Sequence, residues 1–166
     1  MDLRDAVVAG RFKVTRLLGT VSAITCYQGV DSDVADAPVL IRLETTSTPN
    51  SVLSSMYQRL MDVGACTSVP AMLYYGPLAD RQVLVTEMPG PSLEDLVKFC
   101  GGKLSLKCVL LLAPKLVTMV EQLHKNGFSY SILRPDNVCY GNFIFMLIVG
   151  IVFSNDFFFI VNDDIY

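Results

Sequence analysis

The spacing of apolar residues changes near residue 90, and this change constrains the fold more than any other feature of the chain. Before that point, short apolar runs alternate with turn-rich segments, which is typical of β-strands. After it, apolar residues recur three and four positions apart over longer segments, which is typical of helices. The sequence therefore predicts an α+β chain in which strands come first and helices follow.

Five strands and one helix are predicted between residues 11 and 88. The predicted strands cover residues 11–18, 22–29, 39–44, 71–75 and 82–88. The helix is predicted over residues 51–63, where apolar residues recur at helical spacing.

Two further helices are predicted after residue 91. Ser92 is a good N-cap for the first of them, and Gly101 is expected to end it. Ser105 is expected to cap a longer helix that runs to about residue 126. Pro114 lies inside this second helix and predicts a bend there, because proline removes a helical hydrogen bond.

Composition limits the class of protein. The chain has 166 residues, enough for one domain or part of one, and 52% of them are hydrophobic, which excludes disorder. The net charge of −3 predicts no nucleic-acid partner. The five cysteines are scattered and form no CxxC pair, so they are interpreted as reduced thiols of a cytoplasmic or nuclear protein.

The segment from Phe128 to Gly141 reads FSYSILRPDNVCYG and resembles a protein-kinase catalytic loop, whose pattern is H-R-D-x-K-P-x-N. Pro135 and Asn137 match that pattern, whereas Ile132 occupies the position of the catalytic Asp. That Asp accepts the proton of the substrate hydroxyl. Because isoleucine has no acceptor, the resemblance implies that the chain has no catalytic residue at this position.

Two other motifs indicate which kinase family the chain resembles. GPSLEDL at residues 90–96 and SLKCVLLLA at 105–113 are similar to segments characteristic of the casein kinase 1 family. The resemblance covers about residues 11–141. It implies an α+β, protein-kinase-like fold with a five-stranded small lobe carrying one helix, a hinge, and only the first helices of the large lobe.

The resemblance also implies a division of the chain. The expected parts are an N-terminal extension at 1–10, a partial protein kinase domain at 11–141 and an apolar tail at 142–166. Within the domain, the expected parts are the small lobe at about 11–88, the hinge at 87–91 and the start of the large lobe at 92–141.

The family uses ATP and magnesium, and the resemblance places a degenerate nucleotide site at Gly19, Arg42 and Glu87. Gly19 is the retained glycine of a phosphate-binding loop, in which Val21 and Ile24 replace the next two glycines. Their β-branched side chains would crowd the phosphate path. An ordinary β-turn between two strands is the alternative interpretation.

Other positions of the expected nucleotide site have also changed. Arg42 replaces the motif lysine, and Leu53 stands where its glutamate partner is expected. Leu40 replaces the small alanine that lies over adenine in the family. The Glu87 carbonyl could still accept from the adenine amino group, but Pro89 lacks the N–H that the family offers to the base.

For magnesium, the resemblance offers only Asn137, whose alternative interpretation is a structural loop asparagine. Asp156 begins the single candidate for a D-F-G motif, which has no glycine. Arg134 is interpreted as a solvated loop residue or an anion contact, and His124 as a helix-terminal residue.

The resemblance ends after Gly141, and three interpretations of the tail remain open. The apolar run from Phe143 to Val161 is a marginal candidate for a membrane span, because polar residues at 154–156 interrupt it. The tail is otherwise a pair of buried strands, or a segment outside the native reading frame.

Three hypotheses of function follow. The first is a casein-kinase-1-like pseudokinase fragment that acts by binding other proteins. The second is an ATP-dependent serine/threonine protein kinase with degenerate motifs. The third is a membrane-anchored regulatory protein.

Overall fold

The structure, a computed structural model, describes residues 3, 5–21, 24–44, 70–125, 128–130, 133–140, 145–147 and 151–153. Its largest element is a six-stranded sheet, which is followed by two helices and several short strands. The sheet contains β1 (Val7–Val8), β2 (Phe12–Val21), β3 (Ile24–Asp31), β4 (Ala37–Glu44), β5 (Met72–Leu78) and β6 (Arg81–Glu87).

The two helices are α1 (Leu93–Phe99) and α2 (Leu106–Lys125). They are followed by β7 (Phe128–Tyr130), a 3-10 turn (Pro135–Asn137), β8 (Val138–Tyr140), β9 (Phe145–Leu147) and β10 (Ile151–Phe153). The last two strands lie in the apolar tail, where β9 pairs with β8 and β10 pairs with β7.

The prediction of a protein-kinase-like fold is wrong. That fold requires a small lobe of five strands and one helix, whereas the sheet here has six antiparallel strands in the order β1-β2-β3-β4-β6-β5. The five predicted strands are confirmed as β2 to β6, with bounds shifted by at most three residues. The helix predicted over residues 51–63 lies outside the described residues.

The sixth strand comes from the segment assigned to an N-terminal extension. The Arg11 amide donates to the Val8 carbonyl at 3.1 Å and closes a tight turn. Ala9 and Gly10, the central residues of that turn, have φ angles of 53° and 68°, the combination that joins strands in tight hairpins. Val8 and Leu3 are then almost fully buried, at 0% and 1% exposure. This burial favours adding β1 to the edge of β2.

One face of the sheet carries the hydrophobic core. Residues on alternate positions of a strand point to opposite faces, and in β4 and β6 alternate side chains reach this core. The buried residues that form it are Leu3, Val8, Phe12, Val14, Tyr27, Val39, Ile41, Leu43, Val83 and Val85.

Both helices begin where their capping residues predict. Ser92 and Asp95 form a reciprocal capping box at the start of α1, and Gly101 follows that helix with a φ of 75°. The Ser105 hydroxyl accepts from the Cys108 amide at 3.2 Å at the start of α2. Among the described residues, no helix is long and apolar enough to cross a membrane.

Strand β8 is joined to the segment between the sheet and α1. The Gly90 amide donates to the Tyr140 carbonyl at 2.7 Å, and the Tyr140 amide donates to the Pro91 carbonyl at 2.9 Å. A Cβ atom at position 90 would lie 2.5 Å from that Tyr140 oxygen. Only glycine therefore fits at residue 90 without moving the backbone.

Candidate functional site

The sheet brings two of the predicted site residues onto one cross-strand row. Arg42 on β4 pairs with Cys26 on β3, and Cys26 pairs with Gly19 on β2. Two strand spacings separate Gly19 from Arg42, which is about 10 Å. Glu87 lies at the end of β6 and pairs with Val39, so it belongs to a different row.

Arg42 lies on the face of the sheet opposite the core, which we call the second face. It is defined by Leu40, Arg42, Leu84 and Thr86, which are cross-strand partners on β4 and β6. All four are buried, with exposed fractions between 0% and 7%. The second face is therefore closed to solvent around the guanidinium group.

The Arg42 guanidinium has fewer partners than a buried cation normally requires. Its Nη1 atom donates to the Thr86 hydroxyl at 3.3 Å, which is a long hydrogen bond. Its Nη2 atom is buried and makes no hydrogen bond within the described part of the chain. Position 53, where the sequence lacks the expected acid, lies outside the described residues. The described residues therefore compensate only in part for removing this charge from water, which is unfavourable.

Two thiols lie close enough to Arg42 to feel its charge. Burial raises the pKa of Cys26, and the positive charge of Arg42 partly opposes that shift. Burial also raises the pKa of Cys139 on β8 to about 11, assisted by Asp95 and opposed by Arg42. Both thiols therefore stay protonated at neutral pH and are poor nucleophiles.

The described residues of the predicted phosphate loop are paired between β2 and β3. Strands β2 and β3 stay paired up to Val21 opposite Ile24, so only residues 22 and 23 separate them. The Thr20 and Thr25 hydroxyls lie 3.2 Å apart across the same ladder. Gly19 has a φ of 153°, which residues with side chains rarely adopt, and it follows an irregularity in the pairing of β2 and β3. These features fit the alternative interpretation, a turn between two strands.

Each backbone N–H of the predicted hinge already donates a hydrogen bond within the protein. The Glu87 amide donates to the Ala71 carbonyl at 3.1 Å, and the Met88 amide donates to the Pro38 carbonyl at 3.3 Å. The Gly90 amide bonds β8, and Pro89 has no N–H. No amide at residues 87–90 is left to donate to an adenine ring.

The structure describes the remaining predicted residues only in part. Ile132 and Asp156 lie outside the described residues, and Asn137 belongs to the 3-10 turn. Arg134 is exposed and donates two 3.0 Å hydrogen bonds to Asp136, whose carboxylate is thereby paired. No group of three or more acidic, histidine or cysteine side chains lies together among the described residues.

Sequence reasoning missed part of this site. It assigned Thr86 no contact with Arg42, and it did not associate Cys26 or Cys139 with the arginine. Strand alternation places Leu40 and Arg42 on one face and could have identified their cross-strand neighbours, but it requires the register of three strands. No family model matches the chain.

Proposed function

We propose that this chain is a catalytically inactive relative of the casein kinase 1 family that acts by binding other proteins. The observation that carries the proposal is that every backbone N–H at residues 87–90 already donates to a carbonyl, which leaves no donor for a nucleotide base. A buried acceptor on a ligand that goes unpaired costs about 1–3 kcal/mol.

Two features of the second face support the same proposal. Leu40 is 7% exposed and fills space that a small alanine would leave open. Arg42 donates to Thr86, and its Nη2 atom, which has no partner among the described residues, is buried rather than presented to solvent. A nucleotide would have to open this face before its phosphates met the guanidinium group.

The test is a thermal-shift titration of the whole chain with magnesium and ATP, with phosphate transfer to casein measured on the same sample. We expect no shift and no transfer. A binder at a hundredfold excess over its Kd would gain about 2.7 kcal/mol, which the titration detects readily.

The matched control is Arg42→Ala. Phosphate transfer by the natural chain that disappears in Arg42→Ala would contradict the proposal and favour the second hypothesis, an ATP-dependent serine/threonine kinase with degenerate motifs. Transfer that persists equally in both proteins would identify a contaminating kinase and leave the chain itself inactive.

The proposed compartment is the cytoplasm or the nucleus, and it rests on the five scattered cysteines. The four cysteines described by the structure are all free thiols. The membrane-anchored alternative rests on the run from Phe143 to Val161, most of which lies outside the described residues. It stays a prediction, for which release of the chain into the soluble fraction by lysis is the opposing result.

A further inference from the structure

Helix α2 exposes more of its apolar side chains than it buries. Only Met119 and Leu123 are buried, at 2% and 0% exposure. Leu106 is 73% exposed, Leu110 63% and Val117 67%. Exposed large apolar residues that are grouped in this way mark surfaces that meet another molecule.

These exposed residues share one side of the helix. Leu106, Leu110, Ala113, Val117 and Val120 follow each other at spacings of four, three, four and three residues. That spacing places them in one stripe along the helix, as in the seam of a helix pair. The stripe contains no charged residue.

The two halves of the stripe differ in shape. The carboxyl-terminal half borders a groove of about 640 Å³. Its apolar lining is Leu116, Val117, Val120 and Leu133, and Glu121, His124 and Lys125 line the rest of it. The amino-terminal half carries a ridge, which we define as Leu106, Val109 and Leu110, with exposed fractions of 73%, 45% and 63%. About 12 residues separate the centres of ridge and groove, or roughly 18 Å along the helix.

We propose that α2 is the interface of a symmetric homodimer, in which two copies of α2 lie antiparallel and the ridge of each copy fills the groove of the other. A twofold axis brings residue i of one copy to residue j of the other, and j to i. A convex and a concave apolar segment on the same stripe satisfy that requirement. The inference rests on the proposed protein-binding function and names a second copy of the chain as the partner.

The exposed area agrees with a weak dimer. The ridge and Val117 present four large apolar side chains, each between 45% and 73% exposed, fewer than the roughly 20–30 residues per side of a standard interface. Stable interfaces bury about 800 Å² per partner, and transient ones bury less. We therefore expect a reversible equilibrium between monomer and dimer that depends on concentration.

The test is sedimentation velocity of the whole chain over a range of concentrations, without nucleotide. The average mass should rise toward twice that of the monomer. Leu110→Glu in the ridge and Val120→Glu in the groove should each weaken association by about tenfold or more, because each buries a carboxylate in an apolar contact.

The matched control is Leu111→Glu. Leu111 is 61% exposed, almost the same as Leu110, but one residue further along the helix it is rotated by about 100° away from the stripe. Association of this variant should equal that of the natural chain. Urea unfolding of all three variants identifies any that fail to fold, and such a variant is replaced by alanine at the same position.

Mixing the two weakened variants separates a ridge-and-groove contact from general stickiness. In a mixed dimer of Leu110→Glu with Val120→Glu, one of the two contacts joins an unaltered ridge to an unaltered groove. The mixture should associate more tightly than either variant alone. Equal or weaker association in the mixture would overturn the proposed arrangement.

A monomeric chain at every concentration would overturn the inference. So would a dimer that Leu110→Glu and Leu111→Glu affect equally, or a monomer that sediments with anionic phosphatidylserine vesicles. None of these results changes the outcome expected for the nucleotide and casein measurements. Failure of the dimer can therefore be distinguished from failure of the proposed function.

Discussion

Ile41 and Arg42 are neighbours on strand β4, point to opposite faces of the same sheet, and are both buried. Ile41 is 0% exposed within the apolar core, and Arg42 is 3% exposed on the second face. The core side chain is surrounded by other apolar side chains. Among the described residues, the arginine has one long hydrogen bond and one nitrogen without a partner.

Equal burial of these two side chains does not mean equal stabilisation. Apolar burial contributes about 25 cal/mol for each Å² removed from water. Burying a charge costs several kcal/mol unless partners compensate for the lost hydration. Burial of the core face therefore stabilises the sheet, whereas burial of the Arg42 guanidinium on the second face offsets part of that stabilisation.

The largest loss of stability is expected from a substitution in the core. Ile41→Ala should lower the free energy of unfolding by about 2–5 kcal/mol, because it removes contacts and leaves a cavity. Leu111→Ala, on the exposed side of α2, should change it by no more than about 0.5 kcal/mol. Urea unfolding measures both, and similar losses in the two variants would contradict the assigned core.

Substitutions on the second face are expected to change stability less than those in the core. Thr86→Val removes the hydroxyl that accepts from Arg42 and should cost about 1–3 kcal/mol, because Nη1 then also lacks a partner. Arg42→Met should be neutral or stabilising, because it replaces a poorly compensated charge with an apolar chain of similar length. A clear loss of stability in Arg42→Met by urea unfolding would mean that the guanidinium group has further partners.

The smallest effect concerns the capping box beside the second face. Asp95 accepts from the Ser92 hydroxyl at 2.6 Å and from the Ser92 amide at 3.0 Å, and these bonds lower the pKa of its carboxyl group. A carboxyl with a lowered folded-state pKa stabilises the protein above its unfolded pKa of about 4, and this stabilisation is lost as the pH falls through the folded value.

Asp95→Asn should therefore lower stability by a few tenths of a kcal/mol at neutral pH, since the group is exposed and screened by solvent. The difference from the natural chain should vanish as the pH falls below the folded-state pKa of Asp95. Thermal unfolding at a series of pH values measures it. A difference that persists at low pH would assign the effect to the shape of the side chain and not to its charge.

The local elements could be predicted because their signals are local. Strands β2 to β6 follow from short apolar runs between turns, and Ser92 and Ser105 cap the helices as expected. Strand β1 could not be predicted in the same way, because two valines are too few to show alternation. Its formation depends on the turn at Ala9 and Gly10 and on the space that Leu3 and Val8 fill.

The candidate site was predictable only in part for a related reason. Alternation along β4 indicates that Leu40 and Arg42 share a face, but not what covers that face. Cys139 on β8 lies near enough to Arg42 to feel its charge, and β8 is placed by bonds between residues far apart in sequence, such as Gly90 with Tyr140. Loss of the Pro89 donor is readable from the sequence, whereas the occupation of the neighbouring amides is not.

Strand β1 also determines where the molecule can be cut or extended. A version of the chain that begins at residue 11, where the family resemblance starts, would remove two of the most deeply buried side chains, Leu3 and Val8. It would also expose the backbone of β2 at Phe12 and Lys13, which β1 now pairs, and an unpaired strand edge invites aggregation. Affinity tags and fusion partners should therefore precede residue 1, and trimming to residue 11 should be avoided.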